Sequence, residues 1–164
     1  MTSSEFEKLI TEQKDKFFRF AFSILRDNDD AKDAVQEMVL KIWKNRRSLD
    51  TTQNLESYCL NALKNQCFDF LRKEKHKIDY QNSNRKKTFV EPENANSDLV
   101  EKLKLELQNL PEQQRMAVEL KDFQGYSYEE ISQILEQSIN AVRVSVSRGR
   151  KKLYEIFKEE LKDA

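Results

Sequence analysis

Scarcity of glycine is the feature that most constrains the fold of this chain. Its 164 residues include only two glycines and two prolines. Hairpin turns, phosphate-binding loops and the Rossmann fingerprint all depend on glycine, either at a sharp turn of the backbone or where a phosphate approaches it. Glu, Lys, Leu and Gln, which are frequent in this chain, are good helix formers. The sequence therefore predicts an all-α protein.

Apolar residues recur at helical spacing in several separate segments. They predict helices over 4–25, 30–45, 55–72 and 111–122, followed by a further pair of helices. Residues 73–97 show no apolar period, which is typical of a flexible linker. We therefore expect two small helical domains, 1–75 and 99–164, joined by a flexible linker over 76–98.

The most informative local pattern lies in the last forty residues or so. Ser127 begins a capping box, Ser-Tyr-Glu-Glu, which predicts the start of a short helix. After a brief connection, Ser138 caps a longer helix that carries five basic residues and no acidic one over 143–152. A short helix, a tight turn and a longer basic helix form the helix-turn-helix arrangement, whose second helix enters the major groove of DNA. A plain helical hairpin is the alternative.

The longer helix has two unlike sides when its residues are placed about 100° apart. The side expected to be buried holds Val142, Val146, Gly149, Leu153, Ile156 and Phe157. The opposite side holds the candidate DNA-reading residues Arg143, Val144, Ser147, Arg148 and Lys151. Their guanidinium, ammonium, hydroxyl and methyl groups can contact guanine edges, phosphates and the thymine methyl. Arg150 and Lys152 lie outside this side, and we expect them at phosphates or in solvent.

In the helix predicted over 30–45, one apolar residue lies on the wrong side. Leu40 stands opposite the apolar stripe, among Asp33, Gln36 and Glu37. An isolated leucine within a ring of polar groups can be a protein-binding hot spot. A single exposed leucine is also commonplace, so both interpretations stay open.

The next helix has a side with aromatic and amide groups. The residues on it are Tyr58, Asn61, Asn65, Phe68 and Arg72. Such a set is a plausible platform for unstacked bases. Tyr58 and Phe68 could equally pack under a neighbouring helix.

Metal, disulfide and membrane sites are not predicted. His76 is the one histidine, and Cys59 and Cys67 lie eight residues apart in one predicted helix. At about 1.5 Å of rise per residue, that separation is too long for a disulfide. No apolar run approaches the length of a membrane span, and the polar start has no signal-peptide layout. We therefore expect a reduced, cytoplasmic protein without membrane insertion, metal or cofactor.

Three segments resemble, in the same order, regions of extracytoplasmic-function (ECF) sigma factors, a class of bacterial transcription initiation factors in the sigma-70 family. The polymerase-binding helix of that family resembles residues 29–45, DDAKDAVQEMVLKIWKN. The segment that melts and reads the minus-ten promoter element is similar to residues 55–75, LESYCLNALKNQCFDFLRKEK. The domain that reads the minus-thirty-five element is similar to residues 110–153, LPEQQRMAVELKDFQGYSYEEISQILEQSINAVRVSVSRGRKKL.

The resemblance implies a sigma factor that binds core RNA polymerase, directs it to promoters and helps open promoter DNA. It implies polymerase contacts at or near Asp33, Gln36, Glu37, Leu40 and Trp43. It assigns Asn65 to the position that helps read an extruded base, and the outward residues of the last helix to the minus-thirty-five element. Val144 and Ser145 replace the Ser-Arg or Lys-Ser pair expected there. Core polymerase and promoter DNA are the implied partners, and sequestration by an anti-sigma factor is common in the family.

Two other classes of protein fit these residues less well. A stand-alone helix-turn-helix regulator would need to self-associate to read two half-sites, and no apolar seam is left over for that purpose. An enzyme acting on phosphodiesters commonly needs clustered carboxylates with a metal, or a pair of histidines. Asp27, Asp29 and Asp30 instead have the pattern of a capping turn. We therefore do not expect an enzyme.

Overall fold

The computed structural model of the protein describes residues 1–49, 54–81 and 95–162. Its α-helices are α1 (Ser3–Leu25), α2 (Asn28–Asn45), α3 (Leu55–Gln81), α4 (Ala95–Gln108), α5 (Glu112–Val118), α6 (Tyr128–Leu135) and α7 (Ile139–Lys162). A 3₁₀ turn, Arg46–Ser48, follows α2, and a π-helical turn, Glu119–Phe123, continues α5. These described ranges contain no strand, which confirms the all-α prediction.

The helices belong to two compact units. The first unit contains α1, α2 and α3, and the second contains α4, α5, α7 and the start of α6. The domain boundaries expected from the sequence, 1–75 and 99–164, stay predictions, and most of the proposed linker over 76–98 lies outside the described residues. None of the described helices is long and apolar enough to cross a membrane.

Local capping explains where the first two helices begin. Thr2 Oγ1 accepts a hydrogen bond from the Glu5 amide at 3.2 Å, and the Glu5 carboxylate accepts one from the Thr2 amide at 2.7 Å. This reciprocal pair satisfies amides that a helix start leaves without partners. Arg26 then adopts a left-handed conformation, φ 55°, that ends α1. Asp27 caps α2 by accepting from the Asp30 amide at 2.9 Å.

The core of the first unit is formed where α1, α2 and α3 pack on one another. The largest fully buried side chains in it are Phe17, Phe20, Met38, Leu60 and Leu63. Burial of each such side chain stabilises a fold by about 1.5–3 kcal/mol relative to its exposure to water. The apolar stripes of the three helices therefore hold the first unit together.

Helix α3 runs past the boundary that we expected at residue 72, so the prediction of a flexible linker from residue 73 is wrong for its first turns. The helix continues to Gln81. No glycine or proline interrupts this stretch, and Lys, Glu and Gln are good helix formers. A pair between Lys77 and Glu74, at 3.7 Å, adds weak support along the exposed surface. Apolar periodicity reveals a buried face, so it misses a helical extension whose residues 75–77 are exposed.

The core of the second unit gathers around α7. The buried side chains of its apolar cluster are Leu107, Leu110, Val118, Leu153 and Phe157. Leu103 and Phe123 pack against that cluster while partly buried. The expectation that Ile156 belongs to the buried side is wrong, because its side chain is 46% exposed. Ile156 lies at the edge of the buried arc of α7, where a rotation of a few degrees decides whether a side chain is covered.

Candidate functional site

The outer side of α2 carries an exposed leucine among polar residues. Leu40 is 58% exposed, and Asp33, Gln36 and Glu37 are exposed beside it. Glu37 accepts a hydrogen bond from the side-chain amide of Gln66 on α3. The carboxylate of Glu37 is thereby held in place while its surroundings stay open to a partner.

Leu40 is less isolated than the helical arithmetic indicated. It lies at the rim of an open groove of about 830 Å³ between α1 and α2. The apolar residues that line this groove are Ile10, Phe18, Val35, Val39 and Leu40. Val35 and Val39 on α2 are half-buried, because α1 covers them only in part. The sequence did not reveal this groove, because its existence depends on how α1 sits against α2.

Trp43 differs from the other proposed polymerase contacts, because its ring packs within the first unit. The centroid of its ring is 5.3 Å from that of Phe6 on α1. The guanidinium carbon of Arg46 lies 3.7 Å from the Trp43 ring centroid, and Arg46 Nη1 donates to the Trp43 carbonyl at 2.8 Å. These contacts tie the start of α1 to the end of α2, and they leave the Trp43 side chain half-buried.

The aromatic and amide side of α3 is only partly open. Tyr58 is 38% exposed and Asn65 is exposed. Asn65 Nδ2 donates to Asn61 Oδ1 at 3.3 Å, so the two amides act as a pair. A small cavity of about 200 Å³ beside them is lined by Tyr58, Asn61, Asn65, Gln66 and Lys41 among others. Arg72 is exposed at the same side and donates to Asp69 at 2.9 Å.

Phe68 does not belong to this open surface. Its side chain is 7% exposed, so the expectation that it lies on the outward side of α3 is wrong. Its position falls at the edge of the outward arc, about 220° from Leu55, and a large apolar ring at an edge turns inward where it can be buried. The interpretation that Phe68 packs within the protein is the one that the structure supports.

Helix α6, a tight turn and α7 follow one another along the chain as a helix-turn-helix. Ser127 accepts a hydrogen bond from the Glu130 amide at 3.1 Å and caps α6. Glu136 takes a left-handed conformation, φ 54°, which ends α6. Ser138 then accepts from the Ala141 amide at 3.1 Å at the start of α7. The residues on the outward side of α7, all exposed, are Arg143, Val144, Ser147, Arg148 and Lys151.

Two cations on α7 have partners that sequence reasoning missed. The Arg143 guanidinium carbon lies 5.3 Å from the centroid of the Tyr128 ring. Arg150 forms a two-pronged pair with Asp122, with Nε to Oδ2 at 2.8 Å and Nη2 to Oδ1 at 2.5 Å. The hydrogen bond to Asp122 is the main cause that raises the pKa of Arg150. Arg150 was expected at phosphates or in solvent, and the structure instead pairs it within the second unit.

Burial changes the titration of a thiol on α3 and of a carboxyl group at the start of α2. Cys59 and Cys67 are buried and form no disulfide, and burial, with a smaller effect of Glu56, raises the pKa of Cys59 to about 12. Partial burial, followed by repulsion from Asp27, raises the pKa of Asp30 at the start of α2. Within 1–49, 54–81 and 95–162, no three His, Cys, Asp or Glu side chains gather into a group that could hold a metal ion.

Comparisons with known proteins match both units separately. The family model for sigma-70 region 2 matches residues 9–77, and the model for sigma-70 region 4 matches residues 101–153. The RNA polymerase sigma factor SigV of Bacillus subtilis is 29% identical over 155 residues, which cover 93% of this chain and 91% of SigV. The ECF RNA polymerase sigma factor EcfG of Rhodopseudomonas palustris is 29% identical over 135 residues, covering 82% of this chain and 75% of EcfG.

A solved structure agrees with these matches. The sigma factor RpoE of Bartonella quintana, crystallised with the anti-sigma factor NepR, superposes with a TM-score of 0.76 at 26% identity. That alignment covers 94% of this chain and 97% of RpoE. Because the two family models and these relatives agree along most of its length, the chain belongs to the sigma-70 family, as an ECF sigma factor that binds core RNA polymerase and directs it to promoters.

Proposed function

We propose that three separate helix surfaces of this sigma factor divide the work of transcription initiation. The outer side of α2 binds core polymerase, the amide side of α3 reads and opens the minus-ten element, and the outward side of α7 reads the minus-thirty-five element. Residues 1–75 then form the promoter-melting domain and residues 99–164 the upstream-reading domain, with 76–98 as the linker between them. The matched ranges 9–77 and 101–153 support this division.

Exposure of Leu40 is the observation that carries the polymerase contact. Because the Leu40 side chain is 58% exposed, it can contribute hydrophobic free energy only when a partner covers it and removes it from water. Asp33, Gln36 and Glu37 surround it with polar groups that can fix the orientation of that partner. A hot-spot residue of this kind has an apolar centre and a polar rim. Trp43 supports the surface indirectly, because it fastens the end of α2 to α1.

Minus-ten recognition is proposed for Tyr58, Asn61, Asn65 and Arg72. The ring of Tyr58 can stack on an unpaired base, and the two amides can hydrogen-bond to base edges. The Asn65–Asn61 hydrogen bond orients the Asn65 side chain before DNA arrives. Phe68 takes a different part, since its buried ring supports the helix that presents these groups.

Minus-thirty-five recognition is proposed for Arg143, Val144, Ser147, Arg148 and Lys151. Arginine donates two parallel hydrogen bonds to guanine, and a valine methyl contacts a thymine methyl. Val144 is 46% exposed, which favours such an apolar contact over a place in the core. The capped turn between α6 and α7 holds the start of α7, so its first turns are presented to the groove.

A gel shift with and without core polymerase tests this division of roles. We expect tight, sequence-specific binding to promoter DNA only when core polymerase is present, as for a dissociable specificity subunit. Equal binding by the free protein would favour a stand-alone helix-turn-helix regulator instead. Transcription by the reconstituted holoenzyme from a promoter, compared with a promoter scrambled at the minus-ten element, completes the test.

Regulation, location and chemistry follow from the same proposal. RpoE of Bartonella quintana was crystallised with the anti-sigma factor NepR, which supports an anti-sigma factor as a further partner of this chain. An initiation factor acts through binding, and polymerase supplies the chemistry of RNA synthesis, so we do not assign this chain an enzymatic activity. We place its action in the cytoplasm, where its polymerase partner works. Co-purification with the tagged chain from its native cells would test whether an anti-sigma factor binds it.

A further inference from the structure

Tyr128, the first residue of α6, contacts cations from two other elements of the second unit. The guanidinium carbon of Arg143 on α7 lies 5.3 Å from the centroid of its ring. Lys121 Nζ, from the π-helical turn, lies 4.5 Å from the same centroid. Both distances fall within the range of about 6 Å in which a ring face attracts a cation. A single aromatic ring therefore joins the turn after α5, the start of α6 and the start of α7.

A third cation of the second unit, Arg150, also interacts with Tyr128. The pKa of Arg150 is raised first by its hydrogen bond with Asp122, and also by a hydrogen bond with Tyr128. Arg150 is itself fixed by the two contacts with Asp122, at 2.5 and 2.8 Å. The start of α6 is capped by Ser127, next to Tyr128 in the chain. Tyr128 thus has a backbone fixed by a helix cap and a ring that lies beside two cations, Arg143 and Lys121.

A ring held in this way can restrict the exposed arginine beside it. Arg143 is exposed, and a free arginine side chain samples many rotamers. Contact with an aromatic ring uses the face of the guanidinium group and leaves its N–H edge available to donate. Guanine is recognised by that edge, through two parallel hydrogen bonds. The ring and the base can therefore bind the same arginine at once.

We propose that Tyr128 is a positioning residue for promoter reading, because its ring holds Arg143 in the orientation from which Arg143 contacts the minus-thirty-five element. This proposal rests on the proposed function, in which Arg143 reads DNA. The sequence preference of α7 therefore depends on a residue of α6 that itself need not contact a base.

Three variants separate this role from a structural one. Tyr128→Leu removes the aromatic face, Tyr128→Phe keeps the face and removes the hydroxyl, and Arg143→Ala removes the reading group. Each is assembled with core polymerase, and transcription is measured from the cognate promoter and from promoters with single substitutions in the minus-thirty-five element. The readout is the ratio of transcription from the cognate promoter to transcription from the substituted promoter, taken for each substituted position. Thermal unfolding of each variant is measured alongside.

We expect Tyr128→Leu to reduce this ratio by about two- to fivefold, the size of an exposed cation–π contact. The reduction is confined to the promoter position at which Arg143→Ala also reduces the ratio. Tyr128→Phe retains the ratio, and Tyr128→Leu has no further effect when Arg143 is already alanine. Tyr128→Met, which keeps apolar bulk without an aromatic face, replaces Tyr128→Leu if the leucine variant does not fold.

The possible outcomes distinguish the two levels of the proposal. If Arg143→Ala leaves every ratio unchanged, the proposed reading role of Arg143 fails. If Arg143→Ala lowers the transcription ratio at one promoter position and Tyr128→Leu does not, Arg143 reads DNA and the positioning role of Tyr128 is wrong. A uniform loss at all promoters in Tyr128→Leu, together with a lower unfolding temperature, overturns the positioning role in favour of a structural one.

Discussion

Gly149 on α7 and Val118 on α5 approach so closely that a Cβ atom on Gly149 would lie 2.6 Å from Val118 Cγ2. The same atom would lie 3.3 Å from the Gln114 carbonyl oxygen, which belongs to the backbone and cannot move freely. Valine is stiff at its first side-chain torsion, so it yields little. The two helices can pack at this distance only because residue 149 has no side chain.

Gly149→Ala should therefore destabilise the second unit. In an exposed helix the same change stabilises by about 1 kcal/mol, but overpacking a core typically costs about 1–3 kcal/mol. We expect the collision to exceed the gain, so the free energy of unfolding falls by about 1–2 kcal/mol. Denaturant unfolding measures this change. Ser147→Ala, at an exposed position of the same helix, is the control, and an equal or higher stability for Gly149→Ala would contradict the packing argument.

Leu40→Ala should weaken binding to core polymerase and leave the fold intact. Because Leu40 is exposed, its truncation leaves no cavity, whereas a hot-spot leucine contributes more than about 1 kcal/mol to binding. We expect an affinity at least fivefold lower, by about that energy, in a pull-down or titration with core polymerase. Leu99→Ala, at a leucine that is 42% exposed on α4, is the matched control. If Leu40→Ala, Asp33→Ala and Glu37→Ala all bind core polymerase with unchanged affinity, the outer side of α2 is not the polymerase contact.

Tyr58→Ala and Phe68→Ala should fail in different ways. Loss of stacking at the exposed Tyr58 reduces promoter opening by about 1–3 kcal/mol on all promoters. Phe68 is buried, so its truncation costs about 3–5 kcal/mol of stability before any effect on DNA can be seen. Permanganate footprints of the minus-ten region and thermal unfolding, measured on both variants, separate the two effects. A stable Phe68→Ala protein that opens no promoter would restore Phe68 to the DNA-binding surface.

Asn65→Ala should change which minus-ten sequences are melted. Its amide is exposed and oriented by Asn61, so it can read a base edge but adds nothing to the core. Footprints on a set of promoters with single minus-ten substitutions should show that, at one position, the variant melts the different bases more equally than the unaltered protein does. Preferences identical to those of the unaltered protein would exclude Asn65 as a reader.

Arg148→Ala and Lys152→Ala should separate reading from positioning along α7. A two-pronged arginine–guanine contact contributes about 1–3 kcal/mol of discrimination, whereas a phosphate contact carries no sequence information. We expect Arg148→Ala to narrow the gap between cognate and mismatched upstream elements. Lys152→Ala should weaken all promoters about equally and lower the salt dependence of binding. A promoter library measures both effects. If Lys152→Ala changed the sequence preference and Arg148→Ala weakened all promoters equally, α7 would lie in the groove in a different rotation.

The buried thiol of Cys59 should make stability depend on pH in the alkaline range. Burial raises its pKa from 9.0 to about 12, so the folded protein retains a proton that the unfolded chain loses. The stability that the protonated Cys59 thiol contributes is therefore fully present below pH 9. As the pH rises from 9 towards 12, the free energy of unfolding falls. Cys59→Ala should show a shallower fall over this interval. Identical pH profiles for the two proteins would exclude the thiol as the cause.

Several elements could be predicted from local pattern alone. Capping residues Asp27, Ser127 and Ser138 mark helix starts, because a cap satisfies amides within three residues of itself. Apolar periodicity likewise identifies α1, α2 and α7, whose buried stripes lie along most of their lengths. The end of α3 could not be found in this way, since residues 75–77 are exposed and leave no apolar period.

What the sequence by itself determined was the class of fold, the order of the helices other than α4, and the exposed sides of α2 and α7. These depend on contacts between residues close in the chain. Tertiary structure alone decided the residues at the edges of the helical arcs, so that Phe68 is buried and Ile156 is exposed. It also decided the groove beside Leu40 and the partners of Arg143 and Arg150. Each of these depends on the rotation and distance of one helix against another, which helical periodicity cannot specify to within a few degrees or ångströms.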